Sequence, residues 1–297
     1  MSVKMRLVRK LVKRMGRGFF NGERIDPERI RAALTKAYSK HRVEKGVAME
    51  TSELGGVTIA TFTPDLTLGE DIVYYVHGGG LITGDAFTAG PYASELALAT
   101  GRRVVTCSYR LAPEHPYPAG LDDAFDVYTG LLQTNPGCRI ALIGESGGAY
   151  LSLAIAIRAR DEGIPIPASL VLNSVLADMS TRTKRQNSAE EITVTVESLK
   201  LLAQMYAPDA DRTDPLVSPI YADFTDLPPL RIIYDLGEVL AVDSEAVARR
   251  ATDAGVAVEV GAYRGTFHGF TTTGKNTPES KAELAESAAF MVRSFTE

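Results

Sequence analysis

Short apolar segments alternate with longer helical segments along most of the chain. From about residue 57, brief runs rich in Val, Ile and Leu end in glycine or polar residues, and stretches with a helical pattern follow them. These runs predict six strands, at 71–77, 103–108, 139–143, 169–173, 230–234 and 256–262. The stretches between them predict helices at 89–100, 120–133, 147–162 and 243–253, and a last helix that starts near Thr277 and Pro278. Such strands are buried on both faces, so we predict an α/β fold with a mostly parallel sheet and helices on both sides.

Two segments depart from this alternation, residues 1–45 and residues 178–221. The second is polar, has a helical pattern at about 194–205 and ends in proline-rich turns. Insertions after sheet strands commonly cover the ligand site of an open α/β fold. We therefore predict N-terminal cap helices at 1–45 and a main α/β domain at 46–297 whose insertion at about 178–221 forms a lid. The alternative is an insertion with no role in the site.

The first segment has the pattern of an amphipathic helix with a cationic face. Its apolar residues recur at spacings of three and four: Val3, Leu7, Val8, Leu11, Val12 and Met15. The first 17 residues also carry seven Lys or Arg and no acid, which leaves −12 for the rest of a chain whose net charge is −5. A signal peptide would need an uncharged apolar stretch after the basic positions, and none follows. We expect this helix to pack on the domain; the alternative is a helix that lies on a membrane surface.

Composition excludes several classes of protein. With 297 residues, 45% hydrophobic and 23% charged, the chain is neither disordered nor fibrous and can bury a sizeable core. Its two cysteines, Cys107 and Cys138, form no Cys/His cluster, so we predict no metal site, no disulfide framework and a cytoplasmic location. The net charge of −5 argues against a nucleic-acid partner. No apolar run reaches the roughly 18 residues of a membrane span.

A candidate nucleophile lies between the predicted strand at 139–143 and the helix at 147–162. Ser146 stands in the sequence GESGG at 144–148. A serine on a sharp strand-to-helix turn has a strained backbone, and bulky residues two positions away on either side would collide. Glycine at those positions is therefore what a nucleophile elbow requires. The GxSxG pattern is weak by itself, but its place between a strand and a helix supports the hypothesis.

A glycine-rich loop provides candidate donors for an oxyanion. His77, Gly78, Gly79 and Gly80 end the first predicted strand. The backbone N–H groups of Gly79 and Gly80, with that of Gly147 after the nucleophile, could stabilise the negative charge of a tetrahedral intermediate. A phosphate site is disfavoured because neither GxxxxGK[ST] nor GxGxxG occurs. We expect His77 and Gly78 to support this loop rather than to act as a base.

The general base follows by elimination. In an α/β architecture with a nucleophile elbow the chain order is Ser, then acid, then His. Of four histidines, three precede Ser146, at positions 41, 77 and 115, and only His268 follows it. The acid should lie in a loop after a strand between these two, and Asp235 and Glu238 both follow the strand at 230–234. Asp243 is instead expected to cap the next helix.

These motifs together resemble the hormone-sensitive-lipase family of α/β-hydrolases, whose microbial members are carboxylesterases. The resemblance extends from about residue 71 to the C-terminus. It depends on HGGG at 77–80, YRLAPEHPYPA at 109–119, GESGG at 144–148 and FHGF at 267–270. It implies an α/β-hydrolase fold whose N-terminal helices and insertion form a cap over the pocket. It also implies that Ser146 and His268 act with an acid on an ester, without a cofactor.

The resemblance further implies an acid and a substrate class. In the family the acid lies in a segment similar to GEVL at 237–240, nine residues after a Pro-Pro pair, and counting from Pro229 reaches Glu238. We therefore expect Glu238 rather than Asp235, although Asp is the commoner residue there. Relatives favour esters with short acyl chains. Leu81, where the family usually has an aromatic residue, indicates a roomier acyl pocket.

Other functions remain open at this point. An amidase or deacetylase would use the same three residues. A lipase acting at an interface would explain the cationic N-terminal helix, although membrane association is not favoured. A binding module like the plant gibberellin receptors is disfavoured because those receptors have lost the catalytic His, and His268 is present. Relatives are often dimers, which implies a homodimer here.

Overall fold

The computed structural model describes residues 1–16, 24–38 and 43–296. Eight strands form one sheet: β1 (Val47–Leu54), β2 (Val57–Pro64), β3 (Ile72–Val76), β4 (Arg103–Cys107), β5 (Ile140–Glu145), β6 (Ser169–Asn173), β7 (Leu230–Asp235) and β8 (Val258–Tyr263). The helices are α1 (Val3–Gly16), α2 (Pro27–Tyr38), α3 (Gly90–Thr100), α4 (Ala119–Thr134), α5 (Gly147–Asp161), α6 (Val196–Tyr206), α7 (Ala241–Asp253) and α8 (Pro278–Ser294).

The sheet has the order β1-β2-β4-β3-β5-β6-β7-β8. β1 and β2 are antiparallel to their neighbours, whereas the strands from β4 to β8 pair in parallel. The mostly parallel sheet expected from the buried strand pattern is therefore confirmed. Parallel strands place their carboxyl ends at one edge of the sheet, where the loops that follow β3, β5 and β7 come together.

Helices cover both faces of the sheet because successive side chains of each strand point to opposite faces. In β3, Val73 and Tyr75 join a core cluster that contains residues of α3 and α8. Tyr74 and Val76 join a second cluster that contains residues of α4, α5 and α7. β3 is buried along its whole length, as strands covered on both faces must be.

Three features differ from the sequence-based expectations. β2 was not among the six predicted strands, because the prediction rested on strands that alternate with helices, and β2 follows β1 as an antiparallel strand with no helix between them. β1 was not predicted because six of its eight residues are exposed, so it lacks the alternation of apolar and polar positions that marks a half-buried strand. The prediction that Asp243 caps a helix was wrong, since α7 begins at Ala241. The buried Asp243 carboxylate instead accepts hydrogen bonds from the backbone of Ala177 and pairs with Arg185 at 2.6 Å. The prediction that Thr277 caps the last helix was confirmed, with its hydroxyl accepting the Ser280 N–H.

The N-terminal helices and the insertion pack around the carboxyl edge of the sheet. Arg31 of α2 donates to the carbonyl of Ile82 at 2.7 Å, next to the glycine-rich loop. Leu202 of α6 lies directly above Gly80, within 2.9 Å of where a Cβ would stand. Two residues counted in the sequence analysis, Arg17 and His41, lie outside the described residues. Among the helices of the described ranges, none has both the length and the apolar content needed to cross a membrane.

Candidate active site

Ser146 occupies a strained turn between β5 and α5. Its backbone has φ 54° and ψ −118°, a region that residues with a side chain rarely adopt. A Cβ on Gly144 would stand 2.4 Å from the Gly148 backbone, and one on Gly148 would stand 2.1 Å from the carbonyl oxygen of Val76. Both glycines are therefore required for the turn to form. This is the geometry predicted for a nucleophile elbow.

The glycine-rich loop runs beside this turn because β3 and β5 are parallel neighbours. Gly78, Gly79 and Gly80 line the same cavity as Ser146. Gly147 packs against the loop, since a Cβ on it would lie 3.2 Å from the backbone nitrogen of Leu81. The start of α5 and the glycine-rich loop are thus in contact, as a shared set of oxyanion donors requires.

Glu145 holds the glycine-rich loop in place. One carboxylate oxygen accepts the N–H of Gly78 at 2.9 Å, and the other accepts the hydroxyl of Tyr75 at 2.5 Å. Burial raises the pKa of Glu145 to about 7, against the opposing effect of these two donors. The residue before the nucleophile therefore fixes the loop that carries the candidate oxyanion donors.

His77 braces the same loop. Burial lowers the pKa of His77 to about 4, so the imidazole is neutral at neutral pH and its Nδ1–H can donate to the Gly78 carbonyl at 2.9 Å. The ring stacks on Tyr109 with 4.2 Å between centroids, and the Tyr109 hydroxyl donates to the His77 carbonyl. A neutral, stacked imidazole in these contacts supports the loop.

His268 lies beside Glu238 at the cavity wall. Nδ1 of His268 is 3.7 Å from Oε2 of Glu238, and both side chains are buried. Burial lowers the pKa of His268, but the neighbouring carboxylates of Glu238, Glu191 and Glu145 together outweigh it, so the pKa is raised above its usual value. Burial also raises the pKa of Glu238, opposed by His268 and by a hydrogen bond from Ser174. Oε2 of Glu238 accepts that Ser174 hydroxyl at 2.9 Å, and the Ser174 oxygen accepts the Gly269 N–H.

Asp235 makes a different set of contacts. Oδ2 accepts the backbone N–H of Thr266 at 2.6 Å and the Thr266 hydroxyl at 2.7 Å, and Oδ1 accepts the N–H of Gly237. The carboxylate is thus occupied by the loop that precedes His268. Of the two acids that the sequence left open, Glu238 is the one beside the imidazole.

Ser146 and His268 line one cavity of about 340 Å³. Its apolar wall includes side chains from α2, α3, α6 and the loop around His268: Leu34, Tyr92, Leu199, Leu202 and Phe267. The volume is in the range of small-molecule sites. Gly78, Gly79, Gly80 and His77 also line it, whereas Glu238 stands behind His268.

Sequence reasoning missed three supporting residues, Tyr75, Glu145 and Ser174. Glu145 was visible as the residue before the nucleophile, but only the structure shows its bond to Gly78. Ser174 directly follows β6, at the same sheet edge as the loops after β3, β5 and β7, and this position was the available signal. Tyr75 appeared as one of several apolar strand residues, and nothing in the sequence indicated its hydroxyl bond.

The chain matches known proteins over the region that holds this site. Residues 73–272 match a family described as having the alpha/beta hydrolase fold. The chain is 33% identical to an esterase of Acinetobacter venetianus over 223 residues, 74% of each protein. It is 31% identical to an acetyl-hydrolase of Streptomyces hygroscopicus over 294 residues, 98% of this chain and 96% of that protein. It superposes on a crystal structure described as a hormone-sensitive lipase from a metagenome library with TM-score 0.91, 30% identity and 99% coverage of both chains.

Proposed function

The chain belongs to the hormone-sensitive-lipase family of α/β-hydrolases, and from this premise we propose that it hydrolyses short-chain acyl esters with Ser146, His268 and Glu238 as its catalytic triad. It is a carboxylic ester hydrolase, the activity named for its relatives. One observation carries the proposed mechanism: a serine on a strained elbow, a histidine backed by a buried carboxylate and a glycine-rich loop meet at a single cavity.

The reaction begins with proton transfer from Ser146 to His268. The hydroxyl oxygen attacks the ester carbonyl carbon, and its proton passes to Nε2 of the imidazole. The resulting imidazolium is stabilised by the Glu238 carboxylate, which lies 3.7 Å from Nδ1. The imidazolium then protonates the leaving alcohol, which leaves an acyl group on Ser146. Water, deprotonated by His268, hydrolyses the acyl-enzyme by the same steps.

The negative charge of each tetrahedral intermediate falls on the former carbonyl oxygen. We assign its stabilisation to the backbone N–H groups of Gly79, Gly80 and Gly147. Glu145 and His77 contribute indirectly, because their bonds to the backbone of Gly78 fix the loop. Donors held rigidly before the reaction need no reorganisation in the transition state, which is why this bracing matters for rate. No step requires a cofactor or metal ion.

The shape of the cavity favours a substrate with a small acyl group. Leu202 of α6 lies against Gly80, so the insertion closes the space above the glycine-rich loop. A relative that matches almost the whole chain is an acetyl-hydrolase, which fits an acyl group of few carbons. The cap role of residues 1–45 and 178–221, the cytoplasmic location and the homodimer stay predictions.

A series of p-nitrophenyl esters from acetate to palmitate tests the proposed function. We expect kcat/KM to be greatest for chains of about two to six carbons and to fall steeply beyond them, since longer chains must displace the apolar side chains of the cap. The matched p-nitroanilides serve as the control for amide hydrolysis. Activity that peaks at palmitate would contradict the short-chain assignment. Turnover of anilides without turnover of any ester would show an amidase instead.

A further inference from the structure

The outward face of α1 carries an exposed apolar row. Val3, Leu7 and Leu11 are 64%, 61% and 58% exposed, and a spacing of four residues places them in line along the helix. Large apolar side chains are scattered singly on most protein surfaces, but three in a row on one helix mark an interaction site. This face has no partner among the described residues of the chain.

The inward face of the same helix holds it on the domain. Met5 is fully buried, and Val8 and Val12 pack against the core cluster that contains α3 and α8. Arg9 donates to the carbonyl oxygens of Thr266 and Glu190. The helix is therefore fixed by residues other than those of the exposed row, so the outward face is available to a partner in the folded protein.

Charge determines the chemistry of that partner. Five cationic residues of α1 are exposed around the apolar row: Lys4, Arg6, Lys10, Lys13 and Arg14. The helix contains no acid, whereas the chain beyond the first 17 residues has a net charge of −12. A second copy docked through the same face would bring two sets of like charges together. An apolar row flanked by cations instead matches an anionic lipid surface, where acyl chains meet phosphate groups.

We propose that the outward face of α1 docks the enzyme on anionic membranes, with its apolar row in the acyl boundary and its flanking cations at the lipid phosphates. The anionic lipids attract α1 and repel the acidic remainder of the molecule. They therefore also orient the enzyme, with α1 facing the membrane. Lys13 and residues of the insertion, among them Thr195, line a shared surface pocket, and Val194 of that segment also lines the cavity of Ser146. Docking therefore brings the cap beside the membrane, where lipid-soluble esters concentrate.

Sedimentation with vesicles tests this surface without reference to ester hydrolysis, so its outcome is separate from that of the proposed function. The full chain is mixed at low salt with vesicles of phosphatidylcholine alone or with about one third phosphatidylglycerol. We expect wild type to sediment with the anionic vesicles only, and added salt to weaken the binding. Leu7→Ser with Leu11→Ser should lower the bound fraction at least about fivefold, because each change removes apolar area from the lipid. Lys10→Glu with Arg14→Glu should abolish binding.

Leu66→Ser with Leu68→Ser is the matched control, since these leucines are 72% and 65% exposed and lie in the loop before β3, outside α1. It should bind like wild type. Circular dichroism and Tm show that each variant is folded. The proposal is overturned if wild type does not sediment with anionic vesicles, or if the Leu7 and Leu11 variant binds as well as the control. It is also overturned if light scattering shows a dimer that the Leu7 and Leu11 variant loses while no vesicle binding occurs, since the partner would then be a second copy.

Discussion

Replacing Ser146 with alanine should lower kcat for a p-nitrophenyl ester by about 10⁴-fold to 10⁶-fold. The change removes the only atom that forms the acyl-enzyme and leaves the cavity and the oxyanion donors in place. The remaining rate should reflect binding and oxyanion stabilisation alone. Steady-state hydrolysis of p-nitrophenyl butyrate, followed at an enzyme concentration high enough to detect slow turnover, measures the loss.

Ser152→Ala is the control for this variant. Ser152 lies in the same helix α5 and its hydroxyl is bonded to the Gly148 carbonyl at 2.9 Å, so the substitution removes a buried serine hydroxyl without touching the cavity. Its kcat should stay within about threefold of wild type, as expected for a group that does not meet the reacting atoms. A Ser146→Ala protein that kept more than about a hundredth of wild-type kcat would mean that another group is the nucleophile.

Glu238→Gln should lower kcat by about 10³-fold to 10⁴-fold. The amide keeps the shape of the side chain but loses the charge that stabilises the imidazolium and holds the ring in the required tautomer. The Glu238 carboxylate also raises the pKa of His268. Because the base must be neutral, activity is lost as the pH falls through that pKa. Without the carboxylate the pKa decreases, so the acid limb of the kcat/KM profile should move to lower pH.

The size of that shift is limited by the other acids near the imidazole. Glu191 and Glu145 also raise the pKa of His268, and both remain in the Glu238→Gln variant.

Asp235→Asn is the matched control, since it makes the same change from carboxylate to amide at a buried acid, the last residue of β7. The new amide would keep only one acceptor oxygen for the donors of Thr266 and Gly237, so we expect Tm to fall by roughly a few degrees. The acid limb of this variant should stay where it is in wild type. If Asp235→Asn shows the larger kcat loss and the shifted limb, Asp235 is the triad acid.

Much of the fold was predictable because strands buried on both faces appear in the sequence as short runs of apolar residues. β3, β5 and β6 are covered on both faces, so most of their residues are apolar. β5 and β6 end at a polar residue, and the polar His77 directly follows β3. The elbow was predictable because its geometry permits only glycine at positions 144 and 148. His268 could be located by chain order alone, since the other three histidines precede Ser146.

The identity of the acid and the residues that support the site depended on contacts between segments distant in sequence. The sequence places Asp235 and Glu238 in one turn, and spacing does not show which carboxylate faces His268. Two residues distant in sequence determine which acid faces His268. Thr266 donates its N–H and its hydroxyl to the Asp235 carboxylate, and the Ser174 hydroxyl donates to the Glu238 carboxylate. Glu145 was assigned no role because its partner Gly78 lies 67 residues away. β1 has no apolar pattern from which it could be predicted, since a strand exposed along most of its length does not need apolar residues.

The central claim is that Ser146 is the nucleophile of an ester hydrolase, and covalent trapping tests it most directly. Wild type is incubated with an alkyl fluorophosphonate, which reacts with serines activated by a neighbouring base. Peptide mass spectrometry should find one adduct per chain, on the peptide that contains Ser146, and ester hydrolysis should fall in proportion to labelling. Ser146→Ala should take up no label. An adduct on a different residue, or full labelling that leaves ester hydrolysis intact, would contradict the account.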